Sequence, residues 1–145
     1  MATPATLASA RFQTLLARHQ GAAHWHLQPC PGLAAAIEQG DAGAPLLHAL
    51  LQRFAAELHD AGVDTVVLGC THYPFIATPL RALLGEHVML IDTAAAIAER
   101  AASLWPQSSA GPADLALQTT GDAQLLTRLA ARWLGCDAIA QHVVV

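Results

Sequence analysis

The sequence predicts an α/β domain built on a parallel sheet, and three observations carry that prediction. The apolar run Val63-Asp64-Thr65-Val66-Val67-Leu68 reads as a buried strand, and His87-Val88-Met89-Leu90-Ile91-Asp92 reads as a second. Between them, Gly69-Cys70-Thr71-His72-Tyr73-Pro74 reads as a tight turn that opens a helix from Phe75 to Leu84. A strand, helix, strand order of this kind calls for parallel strands joined by a right-handed crossover. With 145 residues, 54% of them hydrophobic and 12% charged, the chain can bury a sizeable core.

Each element has a local reason. Thr3 is placed to cap a helix with Pro4 at its first position, ending near His19-Gln20-Gly21. Ala23 to Gln28 has strand character, with His24 and His26 on one face and Trp25 and Leu27 on the other. A polar strand face explains those histidines better than a metal pair, because no third ligand lies nearby. Cys30-Pro31-Gly32 then leads through Leu33 to Ile37 and on to Glu38-Gln39-Gly40; taken alone, Glu38 is a solvated carboxylate near a helix end.

From Ala44 to Asp60, Leu47, Leu50, Leu51, Phe54, Ala55 and Leu58 recur at spacings of three and four, the stripe of an amphipathic helix that Ala61-Gly62 stops. His48 and His59 fall on its polar face. Asp92-Thr93 can cap a helix from Ala94 to Leu104, which Pro106 ends. Gln107 to Pro112 reads as a loop, Asp114 to Thr119 as a strand and Thr120-Gly121-Asp122 as a turn and cap. A helix from Ala123 to Leu134 and a short strand from Ala138 to Val145 complete the chain, with no internal repeat.

The turn after the first buried strand is where chemistry is expected. Gly69 suits a close backbone approach, and Pro74 costs nothing in the first turn of a helix. Cys70 would sit at the carboxyl end of a strand facing the positive end of a helix dipole, the usual ligand position in open α/β sheets. A thiol in that field ionises more easily and can act as a base or a nucleophile. Position alone favours a small buried hydrophobe.

Composition narrows the classes. A net charge of -4 and seven basic residues, all Arg, leave no electrostatic footprint for nucleic acid or an anionic membrane. No apolar run reaches transmembrane length, and the start lacks the pattern of a secretory signal. Cys30, Cys70 and Cys136 are widely spaced, which indicates neither a disulfide framework nor a zinc site and makes a reducing cytoplasm the expected compartment.

Gly69-Cys70-Thr71-His72-Tyr73-Pro74 resembles the second catalytic motif of the glutamate racemases, within the aspartate/glutamate racemase family. These are cofactor-independent enzymes that invert the α-carbon of glutamate between two cysteines, supplying D-glutamate for peptidoglycan. The resemblance extends to Thr3-Pro4-Ala5-Thr6, like a Thr-x-x-Thr segment that follows a strand and binds substrate, although capping accounts for Thr3 equally well. It extends to the Cys-Pro segment ending in Glu and Gly, whose glutamate, Glu38 here, assists the second catalytic cysteine. Thr-Gly-Asp before a helix and the Leu134-Gly135 ending are also similar.

The resemblance implies a three-layer, doubly wound parallel sheet, comprising one domain plus part of a second. Residues 1–92 would be the second racemase domain, with Cys70, His72 and Glu38 in catalysis and Thr71, His72, Thr3 and Thr6 binding glutamate. Residues 93–145 would complete the first domain. The Asp-Ser and Cys-Asn-Thr motifs of that first domain do not occur in this sequence, and Cys30 precedes Pro-Gly instead. The chain is therefore expected to carry half of a site. It would need no cofactor or metal, and would associate with the missing half or with a second copy. A silent fragment or a glutamate-binding module is the competing reading, and a Cys-His hydrolase a third.

Overall fold

The computed structural model describes residues 1–19, 21, 23–39, 44–105 and 115–144. The described chain forms two compact units, Met1–Ser103 and Leu104–Val145.

In the first unit, α1 (Pro4–Ala8) and α2 (Ala10–Arg18) replace the single helix expected there. Ser9 breaks it: its backbone is extended, and its hydroxyl accepts from the Phe12 amide, so the same residue ends one helix and caps the next. Next come α3 (Leu33–Gln39) and α4 (Pro45–Asp60), which starts at Pro45 after an Ala44 cap. Leu47, Leu51, Phe54, Ala55 and Leu58 of α4 are buried, as their periodicity predicts, and Gly62 at φ 64° takes the left-handed conformation that stops it.

β1 (Thr65–Leu68) pairs in parallel with β2 (Met89–Asp92), Thr65 opposite Met89 and Leu68 opposite Asp92. The crossover between them is a 3₁₀ turn, Tyr73–Ile76, running into α5 (Ala77–Leu84). α4 packs against both α3 and α5. Leu33, Ile37, Leu68, Tyr73, Ile76, Leu80 and Leu84 are fully buried with the α4 stripe. Each such side chain contributes roughly 1.5–3 kcal/mol. α6 (Ala94–Leu104) follows, its first amide bonded to the Asp92 carboxylate at 2.7 Å.

Two further segments widen the parallel layer. The Met1 amine donates to the Val67 carbonyl and the Gly69 amide to the Met1 carbonyl, at 3.1 and 3.0 Å. On its other side Ala2 donates to Gln28 and accepts from Cys30, bridging Pro29 in parallel. The order across the layer is therefore 28–30, 1–2, β1, β2. Among the described residues, the strand expected over Ala23 to Gln28 forms no ladder, with Ala23 alone in a bridge.

In the second unit, β3 (Gln118–Thr119) pairs in parallel with β4 (Gln141–His142), each shorter than expected, beside α7 (Ala123–Leu134). Asp122 caps α7 through the Gln124 and Leu125 amides, and Gly135 closes it at φ 61°. The Ala140 amide donates to the Thr127 hydroxyl at 2.9 Å, tying α7 to the chain entering β4. Pro106, the 107–112 loop, Asp114 and Val145 fall outside the described residues.

Candidate active site

The chain runs across the layer in the order second, first, third, fourth, so its direction reverses between segment 1–2 and β1. In open parallel sheets ligands bind at such a reversal, beyond the carboxyl ends of the strands. Thr3 and Thr6 follow one of the two strand ends, and Cys70, Thr71 and His72 follow the other. Gly69 is what lets them lie side by side: a Cβ there would stand 3.0 Å from the Met1 carbonyl oxygen. The close approach expected of this glycine is thus to the chain's own backbone.

The turn holds its shape through the Tyr73 amide, which donates to the Cys70 carbonyl at 3.1 Å, and the Thr93 hydroxyl, which donates to the Leu68 carbonyl at 3.2 Å. His72 stands between two partners. Its Nδ1 lies 3.8 Å from Cys70 Sγ and 3.4 Å from Thr71 Oγ1, and its Nε2 lies 2.6 Å from Glu38 Oε1. The His72 and Glu38 side chains are 30% and 40% exposed, so solvent screens the pair and its worth to stability is small. Its effect is orientation. With Nε2–H donated to Glu38, Nδ1 is left as an acceptor facing the thiol.

Thr3 Oγ1 accepts from the Thr6 amide at 3.2 Å, and the two hydroxyls meet at 2.9 Å. The cap is therefore real, and it also presents a pair of hydroxyls at the strand end. The helix after Cys70 opens as a 3₁₀ turn with His72 at its cap and Pro74 in its first turn, so the thiol precedes the helix rather than sitting on its first amides.

Sequence reasoning passed over two buried groups beside this turn. Tyr73 is fully buried, and its hydroxyl is the one buried side-chain polar atom without a hydrogen-bond partner among the described residues. Cys30 is 1% exposed, and its thiol donates to the Gln28 carbonyl at 3.6 Å. Burial pushes the Cys30 thiol from an ordinary 9.0 up to about 11, against the opposing pull of the nearby Met1 amine. Burial also raises the Tyr73 phenol, with Cys30 and Cys70 adding to it.

The folded chain holds the Cys30 proton between pH 9.0 and about 11 while the unfolded chain releases it. That stability is fully present below pH 9 and is lost as pH rises through 11, on the order of 3 kcal/mol. Denaturant titrations from pH 8.5 to 11 should show the fall, and Cys30→Ala should flatten it below pH 10, above which the Tyr73 phenol adds its own share; an unchanged slope below pH 10 would assign the effect elsewhere. Iodoacetamide near neutral pH should reach Cys70 first, Cys136 more slowly and Cys30 not at all. Equal, slow reaction at all three would make Cys70 an unactivated thiol.

Residues 1–101 match the family model described as Asp/Glu/Hydantoin racemase. The chain belongs to the Asp/Glu/hydantoin racemase family. Across 151 aligned residues it is 37% identical to a glutamate racemase of Roseiflexus sp. (strain RS-1), covering 99% of this chain and 56% of that relative. It is 45% identical over 125 residues to a glutamate racemase of Pseudomonas syringae pv. tomato, covering 84% of this chain and 46% of the relative. The chain thus spans about half the length of these curated relatives.

Solved members of the racemase family share the fold. Glutamate racemase isoform RacE1 from Bacillus anthracis superposes with a TM-score of 0.77 at 26% identity, over 97% of this chain and 54% of that one. Glutamate racemase from Francisella tularensis, solved with D-glutamate, gives 0.81 at 21% identity over 99% and 56%, a likeness of fold alone. The α/β architecture expected from the sequence is that of these racemases.

Proposed function

We propose that this chain is the Cys70 half of a glutamate racemase. The observation that carries the reading is the array Cys70–His72–Glu38, placed beside the Thr3–Thr6 hydroxyl pair at the point where the sheet order reverses. The α-proton of an amino acid is very weakly acidic, so its removal needs a base held against one face of the carbon and a proton donor on the other. Cys70 supplies one of these. Its proton passes to His72 Nδ1, leaving a thiolate, and Glu38 balances the charge on the ring. The thiolate then takes the α-proton: the C–H bond breaks, an S–H bond forms, and the electron pair stays on the carbon and its carboxylate. Thr71, Thr3 and Thr6 hold the amino acid's polar groups.

Inversion needs a second thiol, delivering a proton to the opposite face. This sequence has no Cys-Asn-Thr segment, so the second thiol comes from the portion of the racemase fold that this chain does not span. Residues 93–145 complete that first domain, and assembly of the two portions in the cytoplasm would provide D-glutamate for peptidoglycan. Among the described residues no helix is long and apolar enough to cross a membrane.

The test is assembly. This chain mixed with, or fused behind, the amino-terminal portion of the Pseudomonas syringae relative should convert L-glutamate to D-glutamate, read by circular dichroism. The chain alone should not exceed a Cys70→Ser control. Assembly without turnover, with glutamate still bound, would favour a binding module. Cys70-dependent racemisation by the chain alone would overturn the half-site.

A further inference from the structure

The Leu68–Gly69 peptide leads directly into Cys70, and both of its polar groups are held by neighbouring segments. The Gly69 N–H donates to the Met1 carbonyl at 3.0 Å, and the Leu68 C=O accepts from the Thr93 hydroxyl at 3.2 Å. Segment 1–2 thus grips this peptide from one side and the end of β2 from the other. The grip matters because Gly69 has no side chain to resist rotation of the peptide before it. Leu68 is fully buried, so water does not reach its carbonyl to replace the hydroxyl. Beyond Cys70 the chain is anchored again, by the buried Tyr73, whose amide donates to the Cys70 carbonyl at 3.1 Å. The 3.8 Å between Cys70 Sγ and His72 Nδ1 is therefore set between two anchors, one before the thiol and one after it.

The ladder explains why a hydroxyl stands there. Bonds between parallel strands recur every second residue, and the Met89 amide donates to the Asp64 carbonyl at 2.8 Å, so the Leu68 carbonyl falls to residue 93. There the chain leaves the sheet to open α6, and it is the Thr93 hydroxyl that bonds the carbonyl. Capping α6 is not its task. The Ala94 amide already bonds the Asp92 carboxylate at 2.7 Å, and the Thr93 carbonyl accepts the Ile97 amide at 3.1 Å, which fixes the corner from which the hydroxyl reaches back.

We propose that Thr93 is a positioning residue for Cys70: its hydroxyl holds the Leu68–Gly69 peptide from the β2 side and so keeps the thiol within reach of His72 Nδ1. It acts through the peptide that precedes Cys70, and so rests on the proton-handling role given above to the Cys70–His72–Glu38 array.

The test uses the 145-residue chain and iodoacetamide, with the rates at Cys70, Cys30 and Cys136 mapped in one sample. Thr93→Val keeps the branched shape and removes the hydroxyl. It should slow Cys70 about two- to tenfold, the scale of coupling between contacting groups, while Cys30 stays protected and Cys136 keeps its parent rate. Thr93→Ser retains the hydroxyl and should stay within about twofold of the parent. In a His72→Asn background, Thr93→Val should slow Cys70 little further, because the contact it disturbs is already gone. Parent-like or faster Cys70 alkylation in Thr93→Val would overturn the role, as would an equal change at Cys136 in a chain that still protects Cys30, a Thr93→Ser that behaves like Thr93→Val, or a full further loss without His72. Should Thr93→Val unfold and open Cys30, Thr93→Ala against Thr93→Ser is judged in the same way; unfolding of both Thr93→Val and Thr93→Ala would make the hydroxyl a structural one and overturn the role. Turnover of the assembled enzyme is a separate measurement, in which Thr93→Val should lower kcat and leave KM near that of the parent. Turnover together with parent-like alkylation in Thr93→Val would end the positioning role alone, and absent turnover with slowed alkylation would end the racemase assignment alone.

Discussion

In the assembled racemase, Cys70→Ser should lower glutamate racemisation by about 10²–10⁴-fold, the contribution of one positioned acid–base group. Serine keeps the size and loses the chemistry, because its hydroxyl neither ionises near neutral pH nor sits on a polarisable sulfur. The loss should have a particular form. With the other thiol intact, one enantiomer can still surrender its α-proton and take one back on the same face. Deuterium from the solvent should therefore enter one enantiomer of glutamate without inversion, and leave the other untouched. Proton NMR of each enantiomer in D₂O reads this directly. Equal deuteration of both would show that Cys70 does not own a face of the carbon, and the assignment would fall. Glu38→Gln should cost less, because the Nε2 partner remains a hydrogen-bond acceptor through its amide oxygen and only the charge is lost. His72→Asn keeps a neutral polar group near the thiol but loses the base and the reach to Glu38, and should fall between the two.

The local elements were legible wherever one residue decided them. The α4 stripe, Gly62 after it, Asp122 ahead of α7 and Pro74 in the turn each act within a few positions of themselves, and each stands where its chemistry puts it. Ser9 shows how the same signal can be missed. A serine inside Leu7-Ala8-Ser9-Ala10 reads as a tolerated helix residue, yet its hydroxyl competes for the Phe12 amide and splits the helix. Pattern could not show that Ala23 to Gln28 would lack a ladder, because a strand needs a partner in register and periodicity describes only the strand itself.

The site divides in the same way. Cys70, Thr71 and His72 are contiguous, so the turn was visible as a unit. Glu38 looked like a solvated carboxylate on its own terms, and only the racemase resemblance lifted it out; its contact with His72 spans 34 positions that no spacing rule connects. Cys30 and Tyr73 were read as a misplaced cysteine and a motif letter. Cys30 is buried because segment 28–30 lies beside segment 1–2, an order that exists only in the folded sheet. A signal was present in retrospect: a tyrosine, rather than phenylalanine, at a position apolar enough to be fully buried.

The second large effect concerns association. From Thr93 onward, Ile97, Leu104, Trp105, Leu115, Leu134, Ile139 and Val144 are exposed, Ile139 at 80% and Val144 at 91%. In β2, Met89 and Ile91 also remain open, on the strand face opposite Leu90. Covering most of these side chains would gain on the order of 10 kcal/mol, comparable with the cost of bringing two chains together, so a partner that covers only a few of them gains too little to hold. The isolated chain should therefore show weak, concentration-dependent self-association in sedimentation, while the complementary racemase portion should bind it with definite stoichiometry and suppress that behaviour. Leu134→Glu with Ile139→Glu should reduce both, because each charge is harmless in water and costly once covered. Hydrogen exchange supplies the deciding contrast. The amides of Gln118 and Thr119 should exchange far faster than those of Val66 to Leu68 in the chain alone, and slow upon assembly. A strictly monomeric chain in which the two strands are equally protected would mean that residues 93–145 are stable without a partner, and that the division of this chain between two racemase domains is wrong.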